Sequence, residues 1–334
     1  MTSLEPHSQI IAAAALLRAG GVVAFPTETV YGLGADISSP SAVRRLFEIK
    51  KRPVNHPLIV HFAGSSHLQR WAQEVPEQAW QLAEYFWPGP LTLILRRSRH
   101  VPESVTGGQD TVGLRVPDHP VALALLNALG PEKVLAAPSA NRFGRISPTT
   151  AAHVQEELGK SVDMILDGGP CRVGLESTIV GFDGEMAVIL RPGGIPLPAL
   201  AEVLKGRVVL SGQEKRAVRV PGALKSHYAP ETPLELWHSE LLSHRALELG
   251  TKGLRIVIIA WSDRQMDHAE NKNIAHFPMP AEPAAYGRLL YGTLRRFDQE
   301  RFDRLLVEAP PDKPGWMAIA DRLQRASCAA QRDD

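Results

Sequence analysis

At about 100 to 200 residues per domain, a chain of 334 residues calls for two domains, because single hydrophobic cores stop growing near about 250 to 300 residues. With 44% hydrophobic and 22% charged residues it has the composition of an ordinary globular protein, which excludes disordered, collagen-like and solenoid chains. Lys and Arg number 37 against 36 Asp and Glu, and the formal charge of +1 leaves no general field for coating a polyanion or a membrane. Any anion must be held by locally clustered charge. Cys171 and Cys328 form no CxxC pair, so neither a disulfide framework nor a zinc site is expected, and a reducing cytoplasm is.

In chain order, the apolar run at 10–17 is too short to span a bilayer and follows no basic region, so no export signal is read. Ser8 caps it as a helix, Gly20-Gly21 ends it, and 22–25 reads as a buried strand. Gly32-Leu33-Gly34 matches only half of a dinucleotide fingerprint and reads as a turn. A helix over 41–49, a strand over 58–62 and a helix over 76–86 follow, before Trp87-Pro88-Gly89-Pro90 breaks the pattern. Residues 91–95, 111–116, 134–137, 164–166, 177–182 and 187–190 read as strands, with helices over 121–129 and 149–158 among them. Helices separate some strands and short turns such as Asp183-Gly184 separate others. The first domain, 1–207, is therefore expected to be a mixed sheet with helical cover.

Lys205, Arg207, Lys215, Arg216, Arg219 and Lys225 are accompanied by a single acidic residue, Glu214, and 208–232 reads as a basic linker. Strands over 233–237, 254–260 and 305–307 and a helix over 316–327 then form a smaller α/β domain, 233–334. Its other helix carries Tyr286, Leu289, Leu290, Leu294 and Phe297 on one face.

The familiar phosphate-loop, nucleophile-elbow and HExxH signatures are missing. Lys50-Lys51-Arg52 at a helix-to-strand junction suits a polyphosphate, though cations also simply favour a helix C-terminus. Ser139, Asn141 and Ser147 can present hydroxyl, amide and backbone N–H groups to a phosphate or ribose; Ser147 or Thr149 could equally cap the next helix. Arg191 is either a phosphate clamp or an ordinary surface arginine at a turn. Thr111 and Arg115 project to one face of a strand, where Arg115 suits a carboxylate or an edge-strand salt bridge. His56 and His61 lie on opposite faces of an extended segment with no carboxylate nearby, which does not make a metal pair. His227-Tyr228 could fold over a base or open a strand.

Together these segments resemble the YrdC/Sua5 family. The resemblance is carried by Phe25-Pro-Thr-Glu-Thr-Val-Tyr-Gly-Leu-Gly34, Lys50-x-Arg52 before Pro57-Leu-Ile-Val-His61, Trp87-Pro-Gly-Pro-Leu-Thr92, Gly113-Leu-Arg-Val-Pro117, Ser139-Ala-Asn141, Glu176-Ser-Thr-Ile-Val180 and Arg191-Pro-Gly193. It covers roughly residues 10–204 and continues, more weakly, through Pro221-Gly222 and His227-Tyr-Ala-Pro230 of the longer Sua5 type. It implies a twisted mixed β-sheet with flanking helices forming a concave pocket, plus a smaller Rossmann-like α/β C-terminal domain. The implied activity joins L-threonine, bicarbonate and ATP into L-threonylcarbamoyladenylate with release of pyrophosphate. This is a nucleotidyl transfer, with Mg²⁺ accompanying ATP, that opens the N6-threonylcarbamoyl modification of adenosine in tRNA. A downstream threonylcarbamoyl transferase complex would take the product, with at most weak direct tRNA contact and no membrane.

Position by position, the resemblance puts L-threonine on Thr29, His61, Arg115 and Ser177. It puts ATP on Arg52, His56, Thr111, Ser139, Ser147, Arg191 and Tyr228, with Lys50, Arg52, Ser139 and Asn141 serving the chemistry. Two positions depart from the family: His56 stands where Asn is common, and Ala137 where a hydroxyl can help to hold threonine. The linker ending in Tyr228 would close as a lid, because carbamate and acyl phosphate both hydrolyse. The competing expectation is an RNA-binding module without synthase activity, against which the near-zero net charge argues.

Overall fold

The structure is a computed structural model that describes residues 6–212, 218–222, 224, 226–263 and 271–328. The chain divides into two units, Met1–Phe143 with Ser147–Ala223, and Gly144–Ile146 with Leu224–Asp334.

The first unit has strands β1 (Val23–Phe25), β2 (Gly32–Asp36), β3 (Ile59–His61), β4 (Ala72–Gln73), β5 (Leu91–Arg97), β6 (Thr111–Arg115), β7 (Leu135–Ala136), β8 (Met164–Ile165), β9 (Thr178–Asp183), β10 (Met186–Arg191) and β11 (Val208–Leu210). Its helices are α1 (Pro6–Arg18), α2 (Pro40–Lys50), α3 (Leu68–Trp71), α4 (Glu77–Phe86), α5 (Glu103–Thr106), α6 (Pro120–Leu129), α7 (Ala151–Glu157) and α8 (Leu197–Val203). The strands form one sheet in the order β11-β10-β9-β5-β6-β3-β7-β2-β1-β8, with β4 on β5. As expected, the sheet is mixed: β3 and β6 run parallel, as do β5 and β9, while β5 and β6 run antiparallel.

Strand alternation divides its side chains between two faces. One face carries Leu33, Val60, Leu93, Leu114 and Val180 into a core with Leu46 of α2, Leu82 of α4 and Leu200 of α8. On the other, Val23, Phe25 and Leu135 pack under Leu17 of α1 and Leu125 and Leu126 of α6. Farther along that second face, Ile59, Ile94, Ile179 and Leu190 pack with Val220. His61, Thr92, Arg115 and Ser177 share the strand parity of Ile59, Ile94 and Ile179, so this second face is the one that carries the polar residues.

Several expectations change. Gly32-Leu33-Gly34 is strand, not turn, paired with β1 through Val23↔Gly34 and Phe25↔Gly32. Glycine is needed there because a Cβ at Gly34 would lie 2.9 Å from the Phe25 ring. Ser8 lies inside α1, which begins at Pro6, and α7 is capped by Thr150, which accepts from His153 N–H, rather than by Ser147 or Thr149. Val208–Leu210, expected to open the linker, pairs in parallel with β10 at the sheet edge. Lys215, Arg216 and Lys225 of that stretch lie outside the described residues.

The second unit has β12 (Leu234–Trp237), α9 (Ser239–Thr251), β13 (Ile256–Ala260), β14 (Ile274–Pro278), α10 (Pro283–Gln299), β15 (Arg304–Glu308) and α11 (Met317–Ser327). Its strands are all parallel in the order β12-β15-β13-β14, the Rossmann-like arrangement expected. Leu242, Ala246 and Leu249 of α9 pack on Ile256, Ile258 and Leu306. On α10, Tyr286, Leu290, Leu294 and Phe297 are buried, but Leu289 is 46% exposed and does not belong to that face. Both α9 and β14 escaped the sequence reading; β14, Ile-Ala-His-Phe-Pro, is a partly exposed edge strand without clean alternation. Gly144–Ile146 joins this unit by a bridge between Arg145 and Ala229 and an ion pair from Arg145 to Asp298, which also accepts N–H bonds from Glu231 and Thr232. Among the described residues no helix is long and apolar enough to cross a membrane.

Candidate active site

Parallel pairing of β3 with β6 sets His61 directly beside Arg115. Arg115 donates to Thr29 Oγ1 at 2.8 Å and pairs with Glu28 Oε1 at 2.8 Å, so three of the four expected threonine residues meet in a region where each is at most 4% exposed. Burial, and then the Arg115 charge, hold the His61 imidazole well below its ordinary value, and it is neutral at pH 7. Arg115 does form a salt bridge, but β6 is flanked by β5 and β3 and is not an edge strand. Ser177, the fourth residue, exchanges a 2.8 Å hydrogen bond with Thr92 Oγ1 on neighbouring β5.

Arg191 is 3% exposed and not an ordinary surface arginine. It donates to the Ser177 carbonyl at 2.8 Å and to the Pro221 carbonyl at 2.9 Å. The Arg191-Pro192-Gly193 turn reaches this far because Gly193 lies on the Glu176–Thr178 backbone, where a Cβ would sit 2.4 Å from three main-chain atoms. Ser147 donates to Glu176 Oε1 at 2.6 Å in the interior, which ties it to the segment that leads through Ser177 into β9.

The Lys50-Lys51-Arg52 junction is not a solvated helix end. Lys51 closes α2 in the left-handed conformation, and Lys50 turns inward, donating to the carbonyls of Ser139 and Asn141 at 2.5 Å each. Those two oxygens solvate the ammonium without neutralising it. Burial and the neighbouring Arg52 push the Lys50 ammonium well below its usual range. Arg52, 7% exposed, donates to the Pro57 carbonyl at 2.8 Å and lies 5.4 Å over the Phe143 ring, against which His56 also packs edge-on at 5.1 Å. Burial first, then Arg52 and Arg219, lower the His56 imidazole.

Thr111 opens β6 opposite Arg96, four residues from Arg115, at the other end of the strand. Tyr228 belongs to the second unit, where it is 1% exposed, stacked on Tyr291 at 5.8 Å with the Arg322 guanidinium 5.1 Å from its ring. Ala137 is buried among Phe25 and Leu135, and its methyl lies in the apolar cluster under α1 and α6. Glu28, Thr92, Glu176 and Phe143 enter the site without having been assigned to it from the sequence. For Glu28 the signal is a lone carboxylate in a segment of apolar and hydroxyl residues. Among the described residues no group of three or more His, Cys, Asp and Glu is placed to hold a metal ion.

A sheet with these residues at its strand ends, followed by a small parallel α/β unit, defines a class. The chain belongs to the Sua5/YciO/YrdC family: that family's model, whose description reads telomere recombination, matches residues 15–193. The model described as the threonylcarbamoyl-AMP synthase C-terminal domain matches residues 195–328. The chain is 38% identical to the threonylcarbamoyl-AMP synthase of Pyrococcus abyssi, over 94% of this chain and 93% of that protein. It is 40% identical to the Bacillus subtilis protein of the same name, over 96% and 93%. The crystal structure of P. abyssi Sua5 complexed with L-threonine superposes with a TM-score of 0.87 at 36% identity, covering 98% of this chain and 96% of that one.

Proposed function

We propose that this chain is an ATP-dependent L-threonylcarbamoyladenylate synthase, using L-threonine, bicarbonate and ATP and releasing pyrophosphate. The observation that carries the reading is the set of four cations held inside the first unit, Lys50, Arg52, Arg115 and Arg191, at 1%, 7%, 4% and 3% exposure. Taking four cations out of water is costly, and the neighbouring charges of Lys50 and Arg52 favour an anion that carries several charges. Relatives named for this synthesis and a threonine-bound relative of the same fold support the assignment.

Arg115 and Thr29, with His61 and Ser177, receive the amino acid, Arg115 taking its carboxylate. Lys50, Arg52 and Arg191, with Ser139, Asn141 and Ser147, receive the triphosphate and stabilise charge on the departing pyrophosphate. Mg²⁺ enters as part of the ATP complex. The chemistry asks for orientation and charge stabilisation, since a carbamate oxygen of the substrate attacks the α-phosphate and no protein nucleophile is required. The product then passes to a threonylcarbamoyl transferase acting on tRNA. The RNA-binding reading is not favoured, because cations this deeply buried cannot track a phosphate backbone. Purified protein is expected to release pyrophosphate only when ATP, threonine and bicarbonate are all present; release without threonine, or none, refutes the assignment.

A further inference from the structure

Glu28 is 1% exposed and forms its ion pair with Arg115 at 2.8 Å. Among the described residues neither of its carboxylate oxygens accepts a hydrogen bond, and Arg115 Nε is also buried without an acceptor. The pair is thus desolvated but unsaturated, a costly state that leaves one donor and two acceptor atoms open to a third group. Among the described residues, the titratable groups that interact with the pair, His61, His119 and Cys171, supply no second anion. The His61 and His119 imidazoles are lowered chiefly by burial and stay neutral, and burial together with Glu28 pushes the Cys171 thiol up to about 12.

An amino acid arrives as a zwitterion. With its carboxylate on Arg115, its ammonium would be buried without compensation unless an anion were already in place, and the anion paired with Arg115 is Glu28. We propose that Glu28 receives the substrate ammonium and accepts the proton it must lose on carbamoylation. This rests on the synthase reading above.

The step balances. Ammonium and bicarbonate give carbamate, water and one proton: the N–C bond forms and a C–O bond of bicarbonate breaks. The departing hydroxide takes one ammonium proton to become water, one proton stays on nitrogen, and the third goes to Glu28. As the anion that holds the ammonium, Glu28 is in place to accept that proton. Glu28 becomes neutral as the substrate gains the carbamate charge, so the buried site gains no net charge.

The test compares threonine with 2,3-dihydroxybutanoate, which keeps the carboxylate and the side-chain hydroxyl but replaces the ammonium by a second hydroxyl. Calorimetry on the wild type should show a preference for threonine of about 100-fold or more, and Glu28→Gln should reduce it to within about tenfold. Pyrophosphate release by Glu28→Gln should fall about 100-fold in kcat. A structural role alone would weaken both ligands together, so an unchanged preference overturns the proposal. If thermal unfolding shows Glu28→Gln not to fold, Glu28→Asp carries the test: it should keep the threonine preference and lose at least about tenfold in kcat, and an undiminished kcat overturns the proton transfer. A wild type that binds no threonine overturns the synthase reading, and this assignment with it. A wild type that binds threonine with no preference over the analogue overturns this assignment alone.

Discussion

In the second unit the central strand β13 is apolar along its whole length and buried on both faces, Ile256 to Ala260 at 0–1% exposure. In the first unit, β3, β5 and β6 send Val60, Leu93 and Leu114 into the main core but turn His61, Thr92 and Arg115 to the opposite face. The inner strands of both sheets are buried. One has apolar side chains on both sides of its central strand, whereas the other interrupts its second apolar face with charged and hydroxyl groups that must find partners. The difference shows that β13 is given over to packing, whereas β3, β5 and β6 give up packing on one face to hold polar groups.

The contrast is broken most severely at Arg115. Arg115→Ala leaves the Glu28 carboxylate buried without its counter-ion, which should cost about 3 to 5 kcal/mol in denaturant unfolding and abolish threonine saturation in the pyrophosphate assay. A folded variant with an unchanged threonine KM would refute the carboxylate assignment. In the other sheet, Leu306→Ala removes a fully buried side chain of β15 that packs with α9 beside Ile258, for a cost of about 2 to 5 kcal/mol and no change in the KM for ATP or threonine.

The smallest effect is the pH response of the polar face. His61 in the folded protein takes up its proton well below the ordinary histidine value, whereas the unfolded chain does so near that value. Between the two the unfolded state binds more protons, so stability rises with pH there and is lost on acidification below about pH 6.5, at up to about 1.4 kcal/mol per pH unit. Unfolding followed from pH 7.5 to 5 should show this slope, and His61→Gln should reduce it, leaving the share of His56 and His119, which burial also lowers.

Much of this was legible from residue pattern. Thr111 and Arg115 on one strand face, the Ser139-Ala-Asn141 segment after a strand and the cation cluster after α2 each left a bland alternative open, and the family resemblance is what assigned them to a site in the first unit. What escaped depends on contacts distant in sequence. Thr29 and Arg115 are 86 residues apart, and no spacing rule announces that they touch or that Glu28 completes the pair. Gly32-Leu33-Gly34 looked like a turn because glycine usually marks one; here it makes room for the Phe25 ring across the strand pair. Basic composition suggested that a linker begins at residue 208, but β11 still hydrogen-bonds to the sheet edge, since an exposed edge strand tolerates any side chain that faces solvent.

Gly144–Ile146 belongs to the second unit although the residues on both sides of it belong to the first, so the chain passes between the units three times rather than once. During synthesis the Gly144 carbonyl and the Arg145 backbone emerge long before Ala229, the residue they pair with. At about 5 to 20 residues per second that interval is on the order of ten seconds. Folding of the first unit must therefore leave a short segment unclaimed until the last third of the polypeptide appears, and no single cut can separate the two units cleanly.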